Sequence, residues 1–267
     1  MKDIRAKILS NKKVGNAYYK MALDAPYIAR TAMPGQFVQV RCSESLEPFL
    51  RRPFSIHRLK AESSGLRGIE ILYEVVGKGT GILSRKKEGE FADVLGPLGN
   101  GFTLPERSSL EPRAIIIAGG IGVAPLVFLA EELKKKKIKT IVLIGAKTKS
   151  LILCEKDFKK ITPEVYVSTD DGTYGCKGLV SKLFNKILKT TESRFETIVY
   201  VCGPQGMLRC IADICQERNF ECQVSLEENM ACGLGACMGC AVKTRSGNKL
   251  ACKDGPVFTY DKVKNLP

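Results

Sequence analysis

Cys232, Cys237, Cys240 and Cys252 stand as C-x4-C-x2-C-x11-C within NMACGLGACMGCAVKTRSGNKLAC, residues 229–252. Thiolates at the first three of these spacings hold 2Fe-2S centres of the plant type. A loop around so small an anionic cluster must turn sulfurs and backbone N–H groups inward, so the main chain has to come close to the cluster. Gly233, Gly235 and Gly239 offer the backbone angles for that turn. Four cysteines also suit tetrahedral structural zinc. The x4 gap and the run of glycines favour iron and sulfur. The other seven of the 11 cysteines (Cys42, Cys154, Cys176, Cys202, Cys210, Cys215, Cys222) form no regular framework and read as small buried thiols of a reducing compartment.

Three further segments carry groups suited to a ligand with phosphates and a planar ring. In Arg51-Arg-Pro-Phe-Ser-Ile-His57, an arginine beside a proline gives a fixed phosphate clamp, the phenylalanine a ring and the serine a hydroxyl. In Val76-Gly-Lys-Gly-Thr-Gly81, three glycines expose N–H groups and Thr80 adds a hydroxyl, which makes either a phosphate nest or a plain turn. Gly119-Gly-Ile-Gly-Val-Ala-Pro125 sits between an apolar run and an amphipathic stretch, an arrangement that aims N–H groups and a helix start at a pyrophosphate. Its glycines do not form the standard G-x-G-x-x-G.

The elements that must position these groups follow two periods. From Met1 to about Thr103, short alternating segments such as Phe37 to Arg41 and Gly68 to Val76, separated by turns, predict a small antiparallel barrel. Residues 104–112 are rich in proline, serine and charge and read as a linker. Arg113 to Ala118 is then a continuous apolar run, as in a strand buried on both faces. Beyond it, helices over Leu126 to Lys137, Leu151 to Lys160 and Gly178 to Thr190 alternate with strands over Thr140 to Gly145, Glu164 to Ser168 and Thr197 to Cys202. That order predicts a doubly wound parallel sheet. About 40 residues remain after Leu226, too few for a core of their own, so the tail must lean on the cluster and its neighbours. The expected layout mixes α+β and α/β domains: a barrel over 1–103, an α/β domain over 112–226 and a small cluster domain over 227–267.

Composition narrows the function classes. Of 267 residues 44% are apolar and 26% charged, which are globular values. The N-terminus has no signal-like apolar run and no segment reaches membrane-span length, so a soluble cytoplasmic protein is expected. Lys and Arg exceed Asp and Glu by 42 to 28, a net +14, yet no nucleic-acid-binding motif accompanies the excess; lysines such as Lys134 to Lys137 read as solvated helix faces. His57 is the only histidine, which excludes two-histidine Rieske ligation and leaves hydrolytic triads without a nucleophile motif.

Arg52-Pro-Phe-Ser55, followed by Leu72-Tyr-Glu74 and Gly79-Thr80, resembles the flavin-binding pattern of the ferredoxin–NADP reductase superfamily. The resemblance implies FAD in the barrel, with Arg52 facing the pyrophosphate, Ser55 the isoalloxazine edge, and Gly79 and Thr80 the phosphates. Pro53, Phe54, Leu72, Tyr73 and Glu74 complete that pattern, and Gly96 to Phe102 resembles the segment that closes such barrels. Gly119, Gly120, Gly122 and Pro125 resemble the superfamily's GGxGxxP turn for NAD(P). Cys202-Gly203-Pro204 resembles its CGP turn beside the nicotinamide, where Cys202 would shape the site of hydride transfer. After the third strand of this domain come Asp170 and Asp171, which repel a 2′-phosphate and accept a ribose hydroxyl, so NAD is expected, with Asp170 as the ribose partner.

The order flavin, nucleotide, cluster describes a converter between two-electron and one-electron carriers. With SLEENMACGLGACMGCAVKT and Ala251 to Phe258, essentially the whole chain is similar to the electron-transfer subunits of bacterial class 1B dihydroorotate dehydrogenases. That similarity implies FAD, one 2Fe-2S cluster on Cys232, Cys237, Cys240 and Cys252, and NAD+ as terminal acceptor. It also implies an FMN-containing catalytic subunit as partner, in a heterotetramer with two of each subunit that serves pyrimidine synthesis. A compact hairpin between Cys240 and Cys252 must return the fourth ligand. The alternative reading is an NADH-dependent flavin and iron–sulfur reductase for an oxygenase, ferredoxin or sulfide system.

Overall fold

The computed structural model describes residues 1–62, 65–106, 111–189 and 195–262. Part of the expected linker (107–110), the end of the expected Gly178 to Thr190 helix and the last five residues of the tail lie outside them.

The N-terminal strands β1 (Lys2–Lys13), β2 (Tyr18–Asp24), β3 (Phe37–Val40), β4 (Arg52–Glu62), β5 (Gly65–Glu74) and β6 (Phe91–Leu98) close into a barrel in the order β1-β2-β5-β4-β3-β6. Every pairing is antiparallel, as the alternating segments require. Ile8, Met21, Val38, Val40, Ile56 and Ile71 point inward and make the barrel core. Two short helices, α1 (Pro26–Thr31) and α2 (Lys78–Arg85), join the strands.

The second sheet has seven strands. Its parallel strands are β7 (Glu111–Gly119), β8 (Lys139–Ala146), β9 (Val165–Thr169), β10 (Cys176–Lys177), β11 (Phe195–Cys202) and β12 (Glu221–Ser225), ordered β10-β9-β8-β7-β11-β12. Strand β7 shows why its sequence is unbroken apolar. Ala114, Ile116 and Ala118 pack under α3 (Ala124–Lys135) and α4 (Glu155–Lys159), while Ile115 and Ile117 pack on the other face under α5 (Val180–Lys189) and α6 (Gln205–Glu217). Helix α3 also faces the barrel, where Phe128 enters the barrel core and fixes the two bodies together. Lys134 to Lys137 end this helix exposed to solvent, and Lys137 takes φ 59, the left-handed angle that stops it.

Leu151 to Lys160 departs from the expected continuous helix. A 3-10 turn ends at Leu151, and α4 starts only at Glu155, because Cys154 takes φ 60 between them. That kink sets the Cys154 thiol 3.9 Å from Nε2 of His57, which is wholly buried between the barrel and α3. His57 Nδ1 donates to the Ala124 carbonyl at 2.8 Å. Around this pair, Lys20 meets Asp157 at 2.8 Å and Arg58 meets Glu131 at 2.7 Å, an ionic seam across the same contact. Burial pushes the Cys154 thiol up to about 12, so this cysteine–histidine pair carries no thiolate nucleophile.

The tail is not a separate layer. A hairpin of β13 (Ala241–Thr244) and β14 (Gly247–Leu250) is followed by β15 (Val257–Thr259), which joins the edge of the seven-stranded sheet antiparallel to β12.

Candidate functional site: two clefts and a cysteine loop

Two clefts open between barrel and sheet, and the cysteine loop closes on one of them. The first, about 350 Å³, lies on the barrel. Arg52, Pro53, Phe54 and Ser55 line it from β4, and Leu72, Tyr73 and Glu74 from the end of β5. The Phe54 and Tyr73 rings meet at 5.4 Å, and Tyr73 donates its hydroxyl to Asn11 at 3.1 Å, which fixes the aromatic wall. Arg52 Nη1 donates to the Leu50 carbonyl at 2.7 Å. Gly79 lies behind the wall, where a Cβ would stand 3.2 Å from Arg52 Nε, so glycine there makes room for the guanidinium. The 76–81 segment is the start of α2: Thr80 Oγ1 accepts from the Val76 and Gly77 amides at 3.0 and 3.2 Å, so this hydroxyl caps the helix.

The second cleft, about 670 Å³, lies at the carboxyl ends of the parallel strands, the usual ligand position of such sheets. Gly119 lines it from the end of β7, Gly120 and Gly122 from the turn that follows, Gly203 and Pro204 from the turn after β11, and Asp170 from just past the end of β9. The two glycine turns pack backbone on backbone, since a Cβ on Gly122 would come 2.4 Å from the Cys202 carbonyl oxygen. Pro125 is buried at the start of α3, where it needs no N–H partner, and is not a lining residue. Cys202 is 1% exposed and lies beneath the cleft, its thiol pushed well above the ordinary range by burial and by the nearby Glu227 charge.

Glu74, Ile121 and Glu227 line both clefts, so the two sites meet there. Burial, then the neighbouring Glu74 carboxylate, raise the Glu227 pKa and favour its neutral acid. Tyr18 completes this junction, its hydroxyl also raised by burial and by Glu74. Tyr18 falls in no motif, and Ile121 and Glu227 stand inside motifs at positions to which the sequence assigned no role. The one signal was that Glu227 opens the EENMAC stretch that leads into the cysteines.

The hairpin β13–β14 returns Cys252 to Cys240, as the spacing demanded: the Ala251 amide donates to the Cys240 carbonyl at 3.0 Å and the Cys252 amide to the Cys240 sulfur at 3.4 Å. At the other end, the Leu234 and Cys237 amides donate to Cys232 Sγ at 3.3 and 3.4 Å, and Gly235 donates to Cys252 Sγ at 3.1 Å. Burial pushes the Cys232 thiol up, but these amides outweigh it and bring it down to about 6. Burial and the adjoining Cys240 push Cys252 up to about 12. Gly233 and Gly235 adopt φ +70 and +80. The third left-handed residue is Met238 at φ 60, where the sequence suggested Gly239.

Amide-to-sulfur bonds join the cysteines in two pairs, the Cys237 amide to Cys232 Sγ and the Cys252 amide to Cys240 Sγ. A tetrahedral zinc site would bring all four within about 4 Å of each other, from Zn–S bonds near 2.3 Å. Among the described residues, the only three ligand groups within 4.8 Å of one another are His57, Cys154 and Asp157. Two pairs with inward amides fit two irons held by two thiolates each. Phe37 and Met230 tie this loop to the barrel cleft: both line that cleft, Phe37 belongs to the apolar cluster that holds Cys240 and Cys252, and Met230 packs against that cluster.

Residues 227–264 match the iron–sulfur cluster binding domain of dihydroorotate dehydrogenase B, and residues 116–213 match the oxidoreductase NAD-binding domain. The chain is 46% identical over 257 residues to the electron transfer subunit of dihydroorotate dehydrogenase B (NAD(+)) from Desulforamulus reducens, covering 95% of each chain. It is 37% identical to the subunit of that name from Caldanaerobacter subterraneus subsp. tengcongensis, covering 97% of this chain and 98% of the relative. A solved NADH-dependent reduced ferredoxin-NADP oxidoreductase aligns at TM-score 0.82 and 30% identity, covering 97% of this chain and 89% of its own. Ferredoxin NADP+ reductase from Neisseria gonorrhoeae, solved with FAD and NADP, shares the fold at TM-score 0.65 and 17% identity. The chain belongs to the family of electron transfer subunits of NAD+-dependent dihydroorotate dehydrogenase B.

Proposed function

We propose that the chain passes electrons taken from a dihydroorotate-oxidising catalytic subunit through a 2Fe-2S cluster and FAD to NAD+, in pyrimidine biosynthesis. The observation that carries this reading is the continuity of the three sites: Glu74, Ile121 and Glu227 are shared by the two clefts, and Phe37 and Met230 by the barrel cleft and the cysteine loop. When bound, FAD exchanges a hydride with the nicotinamide on one side and single electrons with the cluster on the other.

The residues divide that work. Arg52 and the capped start of α2 hold the flavin phosphates, and Phe54 and Tyr73 wall its ring. The turn over Gly119 to Gly122 presents N–H groups to the dinucleotide pyrophosphate, and Asp170 accepts a ribose hydroxyl and repels a 2′-phosphate. Gly203 and Pro204 shape the nicotinamide side, with Cys202 supporting that turn from below. Glu227, its pKa raised by burial and by Glu74, lies where the two clefts meet. Cys232, Cys237, Cys240 and Cys252 would hold the 2Fe-2S cluster.

The partner in this reading is the FMN-containing catalytic subunit, with two copies of each chain in a cytoplasmic heterotetramer. Leu234 and Met238, 48% and 57% exposed on the cysteine loop, give that partner an apolar contact beside the cluster. Functionally, residues 1–103, 112–226 and 227–267 form the flavin, nucleotide and cluster units, and β15 tethers the last to the second. No helix among the described residues is long and apolar enough to cross a membrane.

The test is anaerobic reconstitution. The chain alone should oxidise NADH with an artificial acceptor, and with the FMN subunit and dihydroorotate it should reduce NAD+. Turnover with an oxygenase or ferredoxin, together with failure to bind the FMN subunit, would overturn the proposal.

A further inference from the structure

On β3 the side chains of Val38 and Val40 fill the barrel, so those of Phe37 and Gln39 point out of it. Phe37 is covered by the cysteine loop, and so is Gln39, which is 0% exposed although it is an outward polar residue. Its backbone carbonyl accepts from Arg51 Nη1 at 3.5 Å. Both polar atoms of its carboxamide, Nε2 and Oε1, are buried with no hydrogen-bond partner in the protein. The large majority of buried side-chain polar atoms are hydrogen-bonded, and Gln39 is the one residue among those described with both polar atoms of its side chain orphaned, which marks a place where another group completes the bonding.

The carboxamide is pressed on the residue next to a proposed ligand. A Cβ built on Gly233 would lie 2.7 Å from Gln39 Cγ and 2.8 Å from Nε2, and Gly233 directly follows Cys232. Gly233 is therefore constrained twice: its φ of +70 suits glycine, and its Cα face is occupied by Gln39. The other donors around the sulfurs, from Leu234, Gly235, Cys237 and Cys252, are all backbone amides of the tail itself. Gln39 is a side-chain donor brought to the same loop from the barrel. It stands two residues, about 7 Å of strand, from Phe37, which lines the flavin cleft.

We propose that Gln39 is a positioning residue of the iron–sulfur centre, whose buried carboxamide donates a hydrogen bond to the Cys232 side of the cluster and so sets that centre's reduction potential relative to the flavin. Reduction adds negative charge to the cluster, so a donor at its sulfurs stabilises the reduced form more than the oxidised one and raises the potential. The proposal rests on the cluster assignment above, which iron and sulfide analysis of the unmodified protein tests separately.

The experiment is an anaerobic redox titration of the full chain, following the cluster by electron paramagnetic resonance and the flavin by absorbance in the same sample. Gln39→Leu should keep its iron and sulfide, and its cluster should become harder to reduce by about tenfold in the one-electron equilibrium, about 59 mV, with the flavin potential unmoved. Gln39→Glu should give a pH-dependent cluster potential, near the native value while the carboxyl is protonated and lower once it ionises. Loaded variants with native, pH-independent cluster potentials would overturn the proposal. If both variants lose the cluster, the reduced wild-type protein decides it. With 15N confined to glutamine side chains, a pulsed-resonance coupling to that nitrogen supports the hydrogen bond, and its absence overturns it.

Discussion

Acid should loosen the contact between barrel and nucleotide-binding sheet, and His57 sets the size of the effect. Burial, with the Lys20 charge next, depresses its pKa from 6.5 to about 4. The folded value lies below the unfolded one, so the unfolded chain takes up this proton first as pH falls. The neutral imidazole's contribution is complete above pH 6.5 and is lost as pH falls through about 4. At 1.36 kcal/mol per pKa unit, the displacement is worth about 3 kcal/mol across that window. His57→Gln keeps an N–H for the Ala124 carbonyl and removes the titration. Urea unfolding followed by circular dichroism, at half-unit steps from pH 7.5 to 4, should show the native chain losing about 3 kcal/mol more than the variant. Carboxylates that titrate in the same range are common to both proteins and cancel. Superposable stability profiles would refute the reasoning, because His57 would then be free to protonate in the folded state.

Three further outcomes follow from the clefts and the loop. Gly203 has φ +155, and a Cβ there would lie 2.6 Å from Met207 Cε and 3.0 Å from the Gly119 Cα. Gly203→Ala should therefore raise KM for NADH at least tenfold in steady-state assays while FAD content stays native. Asp170→Arg should shift preference toward NADPH by roughly tenfold or more, read as the ratio of kcat/KM values, because it exchanges a repelling charge for an attracting one at the ribose. Leu234→Glu, on the exposed rim of the cysteine loop, should weaken binding to the FMN subunit by at least tenfold in calorimetry and leave iron content unchanged.

The parts of this protein legible in the sequence are those whose cause is local. Cys232 to Cys252 declare their chemistry by spacing, the inward-outward alternation of Phe37 to Arg41 declares a barrel strand, and Arg113 to Ala118 declares a strand covered on both faces. The hairpin between Cys240 and Cys252 followed from the short gap alone. What stayed hidden depends on residues distant in sequence meeting in space. Glu227 reaches Glu74 only because the tail folds back over the barrel, and Cys154 reaches His57, 97 residues away, only through a kink that no periodicity marks. The same holds for β15, a three-residue strand whose place at the sheet edge is set by its partner β12. Gln39 looks like any polar residue of an alternating strand until the cysteine loop covers it. Met238 took the left-handed angle that Gly239 was expected to take, since loop geometry around the sulfurs overrode residue preference there.

The central claim is that the four cysteines hold two irons in electronic contact with a flavin that NADH reduces. The most direct measurement is an anaerobic NADH titration of the reconstituted chain, with metal and sulfide analysis and low-temperature electron paramagnetic resonance on the same sample. The account predicts iron and acid-labile sulfide in equal amounts, and a reduced-cluster signal that grows as NADH bleaches the flavin. Zinc at the cysteines, or a flavin that bleaches fully while the cluster stays silent and oxidised, would contradict it.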